Sequence, residues 1–320
     1  MAVHAFIFPG QGSQAVGMGR DLAGAFASAR EVFQEIDEVL KQNLSKIMFE
    51  GPGEELTLTE NTQPALMALS IAVLRVLEKE GGINLKQKAA IVAGHSLGEY
   101  SALAAAGAFT VADAARLLKL RGQTMQKAVP AGLGAMAALL GVEMEQAQTI
   151  CAEAAPDPIT GKAEVVECAN DNGGGQMVIS GHRTAIERAI EIAKTQGVKR
   201  AMLLPVSAPF HCALMAPAAD AMAEAFEKTP PRVPLVPLVA NVSAAKETDS
   251  TRIRDLLISQ VTATVRWREC VHTMTALGVD HFIEIGAGKV LTGLGKRIAP
   301  DATGIAVGNP ADIEAVLKTL

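Results

Sequence analysis

Aromatic residues are scarce in this chain: one Trp, one Tyr and nine Phe make up 3% of its 320 positions, although 49% are hydrophobic. Its core must therefore be assembled from Ala, Leu, Val, Ile and Met. Cysteine is scarce too. Cys151, Cys168, Cys212 and Cys270 have neither metal-ligand nor redox spacing and read as reduced core thiols of a cytoplasmic protein, with no metal expected. No uninterrupted apolar run reaches the roughly 18 residues of a membrane span. The strand-like run over residues 1–8 lacks the basic region and apolar core of a signal segment. Excess positive charge is missing as well. A formal net charge of −5 speaks against a nucleic acid or an anionic membrane as the main partner. There are no internal repeats, and the length allows two domains around a large core.

What is present is concentrated in Lys88–Gly107, KAAIVAGHSLGEYSALAAAG. Ala89–Ala93 is an apolar run of strand length, and Glu99–Ala106 is a small-residue run of helical type. Between them lies Gly94-His95-Ser96-Leu97-Gly98, a G-x-S-x-G in the strand–turn–helix setting that gives the motif meaning. Ser96 is placed on a sharp elbow with its hydroxyl clear of the sheet. Gly94 and Gly98 are required because a Cβ at either place would collide as strand and helix pass. The helix that follows aims N–H groups and a positive dipole end at charge developing beside Ser96.

Along the chain, Val3–Phe8 reads as a strand entering the glycine-rich loop Pro9–Gln14. A dinucleotide fingerprint there fails on context. About twenty residues on, where an acidic strand end is needed, Ala25–Leu40 is an amphipathic helix. Asn61 reads as a cap, with Pro64 in the first turn, of a helix running to Leu77 and ended by Gly81-Gly82. Val111–Lys127 is a further helix. It carries Arg121, which by itself reads equally as a snorkelling surface residue or as a ligand to an anion.

From Ala131 the pattern becomes β-α-β-β-α-β: strand Gly134–Gly141, helix Glu143–Ala155, strands Glu164–Ala169 and Gln176–Ser180, helix Ala185–Thr195, strand Arg200–Pro205. That is a ferredoxin-like unit inserted over residues 129–206. The large α/β domain comprises 1–128 and 207–320, hydrolase-like, with a mainly parallel central sheet flanked by helices. Gly173-Gly174-Gly175 is expected to leave its hairpin flexible. Strands are further expected at Leu235–Val242, His281–Ile285 and Ile305–Gly308, and helices at about 252–261, 266–277 and 311–320. Gly286-Ala287-Gly288-Lys289 lacks phosphate-loop spacing and reads as a strand-to-helix turn.

A serine nucleophile needs a base. Of six histidines, His4 and His281 lie in strand patterns, and His182 and His272 look like exposed helix residues. His95 adjoins Ser96 but points away from it. His211 stands at the junction of the two domains, where ligand clefts are common, and is either the base or a satisfied loop histidine. An acyl enzyme also needs two donors for the oxyanion. The Leu97 N–H is the usual first donor of an elbow, and Gln11 in the first loop is placed for the second.

Phe8-Pro9-Gly10-Gln11-Gly12-Ser13-Gln14, Gly94–Tyr100, Arg121-Gly122 with Met125, Phe210-His211 and Gln260 fall in order over essentially the whole chain. On these residues the sequence closely resembles the malonyl-CoA:acyl carrier protein transacylases of type II fatty acid synthesis, and more loosely the acyltransferase domains of polyketide synthases. The resemblance implies that Ser96 takes the malonyl group from malonyl-CoA and that His211 removes the serine proton. It places Gln260 where a backbone carbonyl replaces the acid of a triad, and matches Gln11 and the Leu97 N–H to the oxyanion hole. Arg121 matches the arginine that binds the free carboxylate of malonate, a task suited to a planar guanidinium fork. Phe210 matches the bulky residue that leaves little room for an α-methyl group, and Asn172 lines the cleft, with Met125 in the same substrate-binding set. A ping-pong transfer to the phosphopantetheine thiol of acyl carrier protein needs no cofactor. Carrier proteins are acidic, so Lys199-Arg200 and Lys296-Arg297 are candidate docking pairs, against the alternative of solvated surface charge.

The chain departs from the family pattern at Gly173-Gly174-Gly175 and at Thr264, both places where proline is usual. The rival readings are a serine thioesterase or esterase on the same elbow, a catalytically silent carrier-protein-binding subunit, and a transferase for another donor such as methylmalonyl-CoA. A hydrolase wants an acid between Ser96 and His211 in chain order, and Asp113, Asp157 and Asp171 follow no clear core strand.

Overall fold

The computed structural model describes residues 2–320. Its strands are β1 (His4–Phe8), β2 (Ala89–Gly94), β3 (Gly134–Leu140), β4 (Val166–Asp171), β5 (Gln176–His182), β6 (Arg200–Leu203), β7 (Leu238–Val239), β8 (Lys246–Glu247), β9 (His281–Ile285) and β10 (Thr303–Val307). They form a six-stranded sheet in the order β10-β9-β1-β2-β7-β8 and a four-stranded sheet in the order β4-β5-β3-β6. The first is parallel except for the β7–β8 pair. Its central strand β1 is buried along its whole length, as expected of a parallel sheet covered on both faces. The second is antiparallel throughout. With helices Met144–Ala154 and Arg183–Thr195 it has the ferredoxin-like strand order and a core of its own, in which Leu139, Ile150, Ile179 and Ile186 are buried.

The largest core is aliphatic, as the composition requires. It surrounds the 21-residue helix Thr59–Lys79, which is buried at 17 of its positions, and the helices Ala27–Leu40 and Val111–Ala128 pack on it. The few aromatic rings are grouped: Tyr100, Phe109 and Phe226 stack with centroids 6.2–6.3 Å apart. Trp267, fully buried, lies 5.8 Å from the His95 ring. Among the described residues no helix is long and apolar enough to cross a membrane, and no group of three or more His, Cys, Asp or Glu is placed to hold a metal.

Several local expectations change. Asn61 does not cap its helix, which begins at Thr59. Its side chain is engaged elsewhere, donating to the Glu55 carbonyl and accepting from Gln42 and Lys119. The strand expected over Leu235–Val242 shrinks to Leu238–Val239, because Pro237 has no N–H to give and the chain turns back at once, the Ala244 N–H bonding to the Ala240 carbonyl at 2.9 Å. His182 ends β5 and caps the next helix, with Nδ1 accepting from the Val165 N–H at 2.9 Å.

Gly173-Gly174-Gly175 is not a slack hairpin. All three residues take left-handed φ, between 59° and 71°. A Cβ on Gly173 would run into Ile298, and one on Gly174 would press on Arg297. The glycines are needed for close approach and for their handedness.

Candidate active site

The elbow forms at the carboxyl ends of the parallel strands, the usual place for a ligand in an open α/β sheet. β2 ends at Gly94 and helix Gly98–Ala105 begins four residues later. A Cβ on Gly94 would overlap the Gly98 carbonyl, and one on Gly98 the Phe8 carbonyl, so both glycines are mandatory for this crossing. Ser96 between them has φ of 54°, a left-handed conformation held by its surroundings. The His95 N–H bonds to the Phe8 carbonyl at 3.0 Å. Asn241, which follows β7, accepts from the Ser96 N–H at 2.8 Å and donates to the Gly94 carbonyl at 2.7 Å.

The Ser96 hydroxyl meets His211 across 115 positions of sequence, with Oγ 2.8 Å from Nε2. His211 also has a left-handed φ, 58°, and its Nδ1 lies 2.8 Å from the main-chain carbonyl of Gln260. A carbonyl can only accept, so Nδ1 carries the proton and Nε2 presents its lone pair to the serine. Burial pushes the imidazole pKa down to about 3, with the charge of Arg121 the next cause. The ring is therefore neutral, the state a general base requires.

Arg121 is 1% exposed, which removes the snorkelling alternative. Its Nη1 donates to Gln63 Oε1 at 2.8 Å. Its Nη2 donates to Gln260 Oε1 at 2.9 Å and to Ser96 Oγ at 3.2 Å. The guanidinium carbon stands 5.6 Å from the Tyr100 ring centroid, within cation–π range. A cation whose hydrogen-bond partners are neutral thus touches the nucleophile. Gln260 links the parts: its carbonyl holds His211, its amide oxygen takes Arg121, and its amide nitrogen donates to the Ser96 carbonyl at 3.1 Å and to Glu99 Oε2 at 3.0 Å.

These groups open into a cleft of about 990 Å³ between the two sheets, lined by Gln11, His95, Leu97, Arg121, Met125, Asn172 and Phe210 among others. The Gln11 side chain is turned to Thr59 Oγ1, 3.4 Å away. Among the described residues the Leu97 N–H has no hydrogen-bond acceptor. The His95 side chain faces away from Ser96, donating through Nε2 to Asn172 Oδ1 at 2.9 Å. Lys199, Arg200, Lys296 and Arg297 are exposed. Arg297 also lines the cleft mouth and donates to Gln176 Oε1 at 3.0 Å. Cys212 is fully buried against the Pro209 carbonyl and takes no part.

The sequence did not point to Gln63, Asn241 or Glu99 as parts of the site. Glu99 carried a usable signal, a carboxylate in an otherwise small and apolar helix. Gln63 and Asn241 carried none, because only the fold brings them here.

A family model described as an acyl transferase domain matches residues 5–307. The malonyl CoA-acyl carrier protein transacylase of Escherichia coli (strain K12) is 46% identical over 318 residues, spanning 99% of this chain and 100% of that protein. Among solved structures, an acyl-carrier-protein-S-malonyltransferase from Bartonella henselae is 53% identical with a TM-score of 0.94, covering 99% of each chain. A malonyl-transacylase solved in complex with a type II PKS acyl-carrier protein is 43% identical, also with a TM-score of 0.94, and covers 100% of both chains.

Proposed function

Because the chain belongs to the acyl transferase domain family, we propose that it moves a malonyl group from malonyl-CoA to the phosphopantetheine thiol of acyl carrier protein through a malonyl-Ser96 intermediate. One observation supports the choice of acyl group above others: a buried guanidinium 3.2 Å from the nucleophile, with only neutral hydrogen-bond partners. An acyl group ending in a carboxylate gives that cation a bidentate, charge-assisted partner, and a plain acyl group leaves it unmatched.

In the first half-reaction His211 Nε2 takes the hydroxyl proton while Ser96 Oγ attacks the thioester carbonyl. The oxyanion forms beside the free Leu97 N–H at the start of the elbow helix, with Gln11 as the second donor. His211 then gives the proton to the departing CoA thiolate. The second half-reaction runs this in reverse with the carrier thiol as nucleophile. The Gln260 carbonyl orients the imidazole and stabilises its charged form in place of an acid. Arg121 holds the malonyl carboxylate, and Met125, Phe210 and Asn172 shape the acyl pocket. The ring of Phe210 disfavours a methyl-branched donor. Residues 129–206 form the inserted wall of the cleft, on a cytoplasmic enzyme of fatty acid synthesis.

The test is incubation with labelled malonyl-CoA, digestion, and then a choice of acceptors. Label on the Ser96 peptide that transfers to a carrier thiol faster than to water is the expected result. Water as the better acceptor would establish a thioesterase instead.

A further inference from the structure

Glu99 is a carboxylate buried beside the reacting groups, at 1% exposure, and the mechanism above gives it no step. It sits in the first turn of the elbow helix. Its Oε2 accepts the Asn241 N–H at 2.9 Å and Gln260 Nε2 at 3.0 Å. The other end of the same amide, Gln260 Oε1, accepts from Arg121 at 2.9 Å. One amide therefore separates carboxylate from guanidinium, its dipole aligned with both charges. With the cleft empty, the two charges balance in a volume where an unpaired charge is costly. A substrate carboxylate on Arg121 adds a second negative charge to that volume, which a low-dielectric site resists strongly.

Resting on the functional reading above, we propose that Glu99 is a positioning residue that balances charge. Ionised, it holds Gln260 and is the counter-ion of Arg121 in the free enzyme. It takes one proton from solvent when the malonyl carboxylate settles on Arg121, and returns it when the malonyl group leaves. The malonyl carboxylate stays ionised throughout, so the proton count closes on Glu99 alone.

The groups facing Glu99 are Arg121 from helix Val111–Ala128, Tyr100 on its own helix, Glu247 from β8 and Cys270 from helix Trp267–Ala276. Burial pushes Tyr100 and Cys270 up, which keeps both neutral. Glu247 adds like charge. The imidazoles of His211 and His95 and the Glu247 carboxylate are the other groups nearby able to take a proton. Burial already pushes the Glu99 pKa up to about 7, so a further negative charge nearby moves its titration across neutral pH.

The experiment counts protons per acyl-enzyme in weakly buffered indicator solution at about pH 8, comparing malonyl-CoA with acetyl-CoA and scoring acylation by mass. Both donors release the same thiol, so the difference isolates the enzyme. The wild-type protein should take up about one more proton per acyl-enzyme with malonyl-CoA than with acetyl-CoA, a difference that Glu99→Gln abolishes per acyl-enzyme formed. No difference in the wild type, or a difference that persists in Glu99→Gln, overturns the proposal; the second result assigns the proton to another group, His211, His95 or Glu247. Should Glu99→Gln fail to fold or to acylate, infrared difference spectra of the wild type with isotope-labelled glutamate decide. A protonated glutamate carbonyl appearing on malonylation alone supports the proposal, and its absence overturns it. Malonyl-enzyme forming without proton uptake sinks only this inference. No malonyl-enzyme at all sinks the functional reading first, and this one with it.

Discussion

At the scale of single residues, the site depends on three charged or ionisable groups held in unfavourable surroundings. Arg121 is a buried cation with only neutral hydrogen-bond partners, and on the proposed function its full partner is the malonyl carboxylate. Arg121→Ala should therefore weaken malonyl transfer by about 2–5 kcal/mol, more than tenfold, and leave acetyl transfer far less affected. Arg121→Lys should not restore the difference, because an ammonium lacks the fork. Matched kcat/KM values for the two acyl-CoA donors check this, and equal losses would remove Arg121 from specificity. His211 and Glu99 imprint opposite slopes on stability. Burial lowers His211 from 6.5 to about 3, so the unfolded chain binds the extra proton in that window and stability rises with pH across it. Glu99 is raised from 4.5 to about 7, so the native state binds the extra proton and stability falls as pH rises through that range. Urea midpoints should show His211→Gln losing less than the wild type on acidification below 6.5. They should show Glu99→Gln losing less as pH rises towards 7. A slope unchanged by either substitution would contradict the assignment.

At the scale of elements, the elbow works because strand and helix cross with no room for a methyl group. Gly94→Ala and Gly98→Ala should each destabilise by more than about 3 kcal/mol. Gly295, in helix Val290–Ile298 with open space where its Cβ would lie, makes the contrast: Gly295→Ala should stabilise by about 0.5–1 kcal/mol. Thermal unfolding of the three variants measures both effects. This scale was also the most legible in the sequence. The elbow strand and helix, the amphipathic helices and the βαββαβ order are written in local periodicity and glycine placement, and they stand close to where those patterns put them. The short β7 was not legible, since its end is set by a backward turn and by the pairing partner β8. The role of Gly173–Gly175 was missed for a related reason. A run of glycines signals freedom along the chain, and only Ile298 and Arg297 on a distant helix turn it into a requirement. In the site, Ser96 announced itself by motif and Arg121, His211 and Gln260 by resemblance. The Glu99–Gln260–Asn241 web joins residues 19 to 161 positions apart, and no local pattern encodes such a meeting.

At the scale of the whole molecule, the two sheets are stitched together at several points. Asn170 bridges Val265, the Thr264 hydroxyl donates to the Cys168 carbonyl at 2.6 Å, and Arg268 pairs with the buried Asp171 at 2.8 Å. At the same hairpin Arg297 reaches Gln176. On the docking proposal, a chain of net charge −5 attracts an acidic carrier through local charge alone. Lys199→Glu, Arg200→Glu and Lys296→Glu should raise KM for carrier protein severalfold, with the effect shrinking as salt rises, and leave loading from malonyl-CoA intact. A slowed loading step would refute the docking role. The stitch at Val265 lies five positions beyond the carbonyl that steadies the imidazole, so one short stretch of backbone sets both the gape of the entrance and the aim of the base. On the proposed function, breadth of diet and speed of turnover are thereby geared to each other. A lineage, or an engineer, that pries the small antiparallel sheet outward to admit bulkier acyl chains should drag the proposed base off line, and should regain rate only by rebuilding residues 263–266 in the same move.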